Sequence, residues 1–164
     1  MKATALGWLG LLLVTVSVTI TACQGGRALY QGKQVVQERR VVLAPDSATG
    51  VWETFDVVVR YAYSLDAGRM SLVGSVTVSE HYQLTYEILE KLELDLVLLD
   101  REARVVASRE LDIGRPLGQL WQMEFDEQFA LPDGVESFSF AYDGKVRGGG
   151  HDRPESASFW LVPH

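Results

Sequence analysis

Alternation of apolar and polar residues with a period of two constrains the fold of this chain more than any other feature. The clearest stretch is Trp52–Leu65, in which aromatic or aliphatic residues stand at every second position from Phe55 onward. Leu92–Leu99 alternates in the same way. A period of two places successive side chains on opposite faces of a β-strand, whereas an amphipathic helix needs a period near 3.6. The pattern therefore predicts an all-β chain.

Other parts of the sequence also have the composition of short strands, rich in β-branched and aromatic residues. These segments are Val35–Leu43, Arg69–Val78, Arg104–Ile113, Leu120–Phe129, Ser137–Tyr142 and Ala157–Val162. With the two alternating stretches they predict about seven to nine strands. We expect an antiparallel β-sandwich, with a closed barrel as the alternative.

Glycine, proline and small polar residues mark the connections between these strands. Ala44–Gly50 is expected to be a loop by its composition, and Asp143-Gly144 is expected to end the strand that begins at Ser137. Gly74 stands inside a strand, which predicts a bulge or a close backbone approach. Glu80–Leu89 is ambiguous, since a short helix or an extended connector fits it, and a loop with about one turn of helix is predicted.

An apolar run, Leu6–Ile20, follows the basic residue Lys2 at the start of the chain. A basic start, an apolar core and small residues before a cleavage point are typical of a secretory signal. The run is too short for a transmembrane helix, which needs about 20 apolar residues. The sequence therefore predicts a cleaved segment rather than a membrane span.

The signal ends in Ile20-Thr21-Ala22-Cys23, which resembles the lipobox of bacterial lipoproteins. The resemblance implies that Cys23 carries a diacylglyceryl group and becomes the first residue after cleavage. Residues 1–22 would then be the signal peptide, 23–34 the lipidated cysteine with its tether, and 35–164 the β-sandwich domain. Two or more acyl chains are needed for stable anchoring, and a lipoprotein cysteine carries them.

Charge and cysteine content narrow the possible partners. The chain has a net charge of −7, and loss of Lys2 with the signal makes it −8. A net acidic protein is a poor ligand for nucleic acid, because the phosphate backbone binds basic patches. The chain has one cysteine, Cys23, so a lipidated form has no internal disulfide. We expect the membrane to hold the protein through Cys23, and an envelope protein to be its partner.

The residue after the lipidated cysteine bears on location. In the well-studied Gram-negative lipoproteins that the lipobox resembles, an Asp at this place retains the protein in the inner membrane. Here the residue is Gln24. The resemblance therefore implies a cell-envelope protein, and it favours an anchor in the outer membrane, facing the periplasm, over one in the inner membrane.

A second resemblance concerns the mature domain. The segments Leu72–Val76 (LVGSV), Leu94–Val106 (LDLVLLDREARVV) and Ser137–Gly144 (SFSFAYDG) are similar to immunoglobulin-like envelope domains of the FxLYD kind. The Asn usual after the glycine-containing strand is absent, and Ser79 stands there. The resemblance implies an immunoglobulin-like fold and brings no catalytic residues.

Residues with possible chemistry do not form a recognisable active site in the sequence. His81, His151 and His164 lack metal-pair spacing. The paired acids Glu93/Asp95 and Glu124/Asp126 are expected on solvated outer faces of strands. No metal and no cofactor is expected, and the protein is predicted not to be an enzyme.

Contact residues are predicted from exposure instead. Trp160 is out of phase with the apolar Phe159 and Leu161, so it should face solvent and is the first candidate for a partner contact. Arg147 and His151, in the glycine-rich stretch 147–155, are the other two. The predicted function is a non-enzymatic binding or accessory module of an envelope complex. The alternative is a carrier of a small ligand or lipid, which would need an apolar cavity between the sheets.

Overall fold

The computed structural model describes residues 30–114, 121–148 and 155–164. Within these ranges the chain forms nine strands, one short α-helix and a 3₁₀ turn at Gln37–Arg39. The elements are β1 (Val41–Val42), β2 (Ser47–Glu53), β3 (Val57–Asp66), β4 (Arg69–Val78), α1 (Glu80–Thr85), β5 (Ile88–Leu99), β6 (Val105–Glu110), β7 (Gln122–Ala130), β8 (Ser137–Arg147) and β9 (Ser156–Leu161).

The strands form two antiparallel sheets. In sheet I, β8 lies between β5 on one side and both β1 and β9 on the other, and β6 is the edge strand beyond β5. Sheet II has the order β2-β3-β4-β7. Because β4 pairs with β7 and β5 pairs with β8, the chain crosses between the sheets after β4, after β6 and after β7. This is the antiparallel β-sandwich that the alternation predicts, and not a closed barrel.

Large apolar side chains from the inner faces of both sheets fill the space between them. On sheet I, Phe138 and Phe140 are at most 2 % exposed. Across the core, the Phe140 ring centroid lies 5.4 Å from that of Trp52 and 5.9 Å from that of Tyr61. Met70, Leu72, Val76 and Val78 of β4 share one buried face, as the alternation predicts. Burial of this kind is the main source of stability in a chain without disulfides.

The outer face of sheet I is half covered by the two ends of the described chain. Tyr30 and Val35 pack with Val162 over Val97, Leu99, Val105 and Ala141. The backbone of Gln34 exchanges hydrogen bonds with His164 in both directions, at 2.7 and 3.1 Å. Tyr30–Gln34, which the sequence assigns to the tether, thus pack against the domain. Their cover explains why Val97 and Leu99 are buried although they lie on the outer face of β5.

The predicted strand Trp52–Leu65 is two strands in the structure. A turn at residues 54–56 separates β2 from β3, because the Thr54 hydroxyl accepts hydrogen bonds from the backbone N–H groups of Asp56 (3.2 Å) and Val57 (3.1 Å). Such short side chains compete with the strand ladder for backbone donors. Phe55 therefore stands on the turn, 77 % exposed, and the prediction that it belongs to the apolar phase is wrong.

The boundaries of three other elements also differ from the sequence-based prediction. Val35–Leu43 is mostly irregular and contains the 3₁₀ turn and the two-residue β1. Ala44–Gly50 is not a loop throughout, since β2 begins at Ser47 and pairs with β3. Asp143-Gly144 does not end β8, which continues to Arg147 between β5 and β9. At these places pairing with a neighbouring strand overrides local composition.

Three smaller predictions have clear outcomes. The single helical turn allowed in Glu80–Leu89 is the six-residue α1. Gly74 is the site of a close approach, because a Cβ there would meet the Arg60 carbonyl oxygen and lie 2.6 Å from Phe125 Cζ. Asp95 does not lie on a solvated face: it is 2 % exposed, and the Tyr30 hydroxyl donates to its carboxylate at 3.3 Å. The N-terminal segment around Tyr30 covers Asp95, and the periodicity of the strands gives no sign of this contact.

Candidate functional site

Two of the four residues singled out in the sequence lie within the described structure. Trp160 is on β9 and Arg147 is the last residue of β8. Cys23 and His151 lie outside the described residues. The structure therefore places two of the predicted contacts on neighbouring strands of sheet I, at the half of its outer face that the chain ends leave open.

Trp160 is 64 % exposed, which confirms the prediction drawn from its phase. Its Cα partner on β8 is Asp143, whereas Phe159 beside it faces the core at 3 % exposure. An exposed tryptophan on an edge strand offers a large apolar surface with one hydrogen-bond donor, and such residues often dominate protein contacts.

Arg147 belongs to a ladder of ion pairs on the same face. Its Nε lies 2.6 Å from Glu90 Oε1, and Lys145 Nζ lies 2.9 Å from Glu90 Oε2. The two cations lower the pKa of the Glu90 carboxyl, with Lys145 as the larger cause. Further along the same face, Lys91 forms ion pairs with both Glu93 and Asp143. These pairs are exposed and contribute little to stability. Arg147 is already paired with Glu90, which it shares with Lys145.

The most prominent exposed apolar cluster was missed by the sequence analysis. It consists of Phe55, His81 and Leu84, here called the α1 patch. Phe55 and Leu84 are 77 % and 79 % exposed, and the rings of Phe55 and His81 lie 4.3 Å apart between centroids. His81 and Leu84 are three residues apart on α1, so they share one side of the helix.

The α1 patch lies at one end of the sandwich. The β2–β3 turn and the β4–β5 connection that contains α1 meet there, beside the end of β8. In immunoglobulin variable domains, loops at one end of the sandwich form the binding surface. That likeness is one of fold and by itself assigns no partner.

Asp56 fixes the α1 patch to the body of the domain. Its carboxylate accepts hydrogen bonds from the Tyr142 hydroxyl of β8 (2.6 Å) and from the Tyr82 hydroxyl of α1 (3.0 Å). The Ser79 hydroxyl donates to the Phe55 carbonyl at 2.6 Å. Tyr82 also stacks on Phe159 of β9 at 4.6 Å. The turn, the helix and sheet I are thus connected through one carboxylate, so the exposed side chains stand on a rigid base.

Burial and Asp56 both change the acidity of these tyrosines. Burial, followed by the hydrogen bond to Asp56, raises the pKa of Tyr82 to about 12. The same two causes raise the pKa of Tyr142 further above its usual value. Both side chains are therefore neutral donors to the Asp56 carboxylate over the whole physiological range.

This arrangement predicts a loss of stability in alkali. Because the folded-state pKa of Tyr82 is raised, its contribution is complete below pH 10 and is lost as the pH rises through about 12. We expect the free energy of unfolding to fall in that window, and less steeply in a Tyr82→Phe variant. Ultraviolet titration of tyrosinate should show a late step that is smaller in this variant, where Tyr142 still titrates late. A late step of unchanged size in the variant would contradict the assignment.

Acidic residues stand close in the chain to the members of the α1 patch. Glu53, Glu80 and Glu87 each stand within three residues of a patch member and are exposed. Asp56 adds a fourth carboxylate beneath the surface. We call these three exposed glutamates, which flank the patch members in the chain, the acidic rim, and the net charge of the whole chain has the same sign.

The described residues offer less support for chemistry or for a carrier role. No group of three or more His, Asp or Glu side chains within them is arranged to hold a metal ion. One surface groove of about 160 Å³ lies between Val36 and Leu161, and another of about 400 Å³ is lined in part by Glu93, Glu110 and Asp112. Both are open to solvent, whereas a carrier needs an enclosed, mostly apolar cavity. Aromatic rings occupy the middle of the space between the sheets, where a carrier would need room.

One sequence signal could have indicated the α1 patch. His81 and Leu84 have helical spacing within Glu80–Leu89, opposite the Tyr82 and Tyr86 spacing that suggested a helical turn. The contact of Phe55 with His81 joins residues 26 positions apart in the chain, and periodicity alone cannot show it.

No helix in the described part of the chain has the length and apolar character to cross a membrane. Comparison with models of protein families, with curated proteins and with solved structures finds no match for this chain.

Proposed function

We propose that the protein is a lipid-anchored lipoprotein of the cell envelope, whose β-sandwich is a non-enzymatic binding module for an envelope protein. The observation that carries the binding role is the α1 patch, in which Phe55 and Leu84 are both more than three-quarters exposed on a rigid base. The anchor rests on the Ile20–Cys23 lipobox.

Exposure of this kind is unfavourable unless a partner covers it. Soluble domains keep clustered apolar side chains away from water, and exceptions commonly mark interaction sites. The hydrogen bonds to Asp56 hold α1 and the turn in place before binding. A surface that is already ordered loses little conformational freedom when a partner binds, which favours affinity.

The rim identifies the kind of partner. Glu53, Glu80 and Glu87 are exposed and stand within three residues of patch members in the chain, so a protein with an apolar centre and basic surroundings would match this part of the surface in charge. An anionic membrane surface would be repelled by the same rim. We therefore propose a basic face of an envelope protein as the occupant, and expect binding to weaken as salt increases.

Substitution of the patch tests the binding role. Phe55→Ser with Leu84→Ser should reduce co-purification of the partner at least tenfold, because contact residues of this type each contribute about 2 kcal/mol. The matched control is Val51→Ser, an exposed apolar residue on β2. Both proteins should fold alike by circular dichroism. Equal recovery of the partner with both variants would contradict the proposed site.

Substitution of Cys23 tests the anchor separately. Cys23→Ser removes the thiol that the lipobox provides for acylation. We expect the variant to fold but to leave the membrane fraction, or to accumulate as an uncleaved precursor. Fractionation of cells and mass spectrometry of the N-terminus measure both results. A variant that is cleaved and membrane-bound like the native chain would refute the lipid anchor.

A further inference from the structure

β9 is an edge strand without the usual protection against pairing. Among the strands of residues 30–114, 121–148 and 155–164, it pairs with β8 alone. Natural edges are commonly protected by charged side chains, proline or bulges. The other long edges carry charge: Glu53 on β2, Arg109 and Glu110 on β6, and three acids on β7. β9, with the sequence SASFWL, has none.

The register of β8 and β9 determines which backbone groups face outward. Gly148 N–H donates to the Glu155 carbonyl at 2.7 Å, so these two residues form a hydrogen-bonded pair. In an antiparallel ladder, such pairs alternate with non-hydrogen-bonded ones. Ala157, Phe159 and Leu161 therefore direct their backbone groups to β8. The N–H and C=O groups of Ser156, Ser158 and Trp160 point away from it.

We propose that β9 pairs in antiparallel fashion with β9 of a second copy of this chain, centred on Ser158. The outward-pointing groups lie at every second residue, so a two-fold axis beside Ser158 brings donors opposite acceptors. Ser158 then faces the partner's Ser158, and Trp160 faces the partner's Ser156. Sheet I would continue through both copies.

Side-chain size and charge suit this register. Ser156, Ser158 and Trp160 are exposed and lie on the outer face. Each tryptophan would stand beside a serine of the other copy, so a large side chain meets a small one and the two tryptophans do not collide. β9 carries no charged side chain, so no like charges would face each other where the two β9 strands pair.

The pairing also agrees with attachment to one membrane. A two-fold axis perpendicular to the sheet keeps the outer faces of both copies on the same side. Tyr30 lies on that face, and the seven residues from Cys23 span at most about 25 Å. Both lipid anchors could then enter one bilayer, which would raise the local concentration of the copies. This point alone rests on the proposed lipoprotein function.

Cysteine substitution tests the register in intact cells. Ser158→Cys should form a disulfide-linked dimer on mild oxidation, because Cα atoms of a directly opposed pair lie about 5.5 Å apart, inside the range for a disulfide of about 4.4–6.8 Å. Ser156→Cys is the matched control on the same strand and face. Its Cα atoms would be about 14 Å apart, because they are four residues out of register and lie on neighbouring strands, and they should not link. The native chain, in which Cys23 is the one cysteine, is the control for any disulfide formed through that residue.

A second variant tests the backbone pairing without cysteine. Ser158→Pro removes an N–H that faces away from β8, so the ladder within one copy stays intact. We expect the purified, lipidated protein in detergent to sediment as a dimer, and this variant as a monomer. Equal cross-linking of Ser158→Cys and Ser156→Cys, absence of any cross-link, or a monomeric native protein would each overturn the proposal. None of these results depends on the α1 patch.

Discussion

Replacement of Phe140 by alanine is expected to destabilise the domain by about 3–5 kcal/mol, the usual range for removing a buried phenylalanine. Phe140 projects from β8 and is 2 % exposed. Its ring contacts Trp52 of β2 and Tyr61 of β3, so it joins the two sheets near the middle of the sandwich. The surrounding rings are too rigid to close the cavity, which is why we expect the upper part of this range.

Chemical denaturation followed by tryptophan fluorescence measures this effect. A single domain has a total stability of about 5–15 kcal/mol, so the variant should lose a large fraction of it. The control is Val73→Ala, at an outer-face position of β4 that is 43 % exposed, where we expect a change within about 0.5 kcal/mol. Similar midpoints for the two variants would show that the core is not organised around Phe140.

Replacement of Gly144 by valine is expected to destabilise the domain by about 3 kcal/mol and to loosen β9. The Phe159 ring lies where a side chain at Gly144 would stand, and its Cε1 is 2.8 Å from an ideal Cβ position. Overpacking costs about 1–3 kcal/mol, and displacement of Phe159 adds the loss of its stacking on Tyr82. The valine would therefore act on both β9 and α1.

Hydrogen exchange identifies the place of this effect. Amides of Ala157 and Phe159 should lose protection in Gly144→Val, because they bond to β8. The control is Lys145→Val on the exposed side of the same strand, which should change stability by less than about 1 kcal/mol. Retained protection of β9 in Gly144→Val would contradict the close packing of Phe159 on Gly144.

Strand periodicity predicted the fold class because the sandwich places one face of most strands against water. β3, β4 and β7 alternate between buried and exposed positions, and the sequence shows it directly. The same rule failed where a third layer covers a sheet. From Leu94 to Leu99 every residue of β5 is buried, since Tyr30 and Val35 pack on its outer face. Packing by a distant, irregular segment leaves no periodic signal in the strand that it covers.

The candidate contact sites also differ in how far the sequence could predict them. Trp160 could be predicted as exposed, because phase within a strand decides which face a side chain takes. The α1 patch could not, because it depends on the hydroxyl of Thr54 breaking a strand and on Asp56 holding a helix against the turn. Such contacts join residues that are distant in sequence, and they depend on geometry that composition does not encode.

Photo-cross-linking from the α1 patch in intact cells tests the binding role most directly. A photoreactive amino acid replaces Leu84, which is 79 % exposed, or Asp133, an exposed turn residue away from the patch. We predict that the probe at position 84 labels one envelope protein with a basic surface, that the probe at 133 does not, and that Phe55→Ser abolishes the label. The same labelling pattern from both positions, or labelling unaffected by Phe55→Ser, would contradict the account.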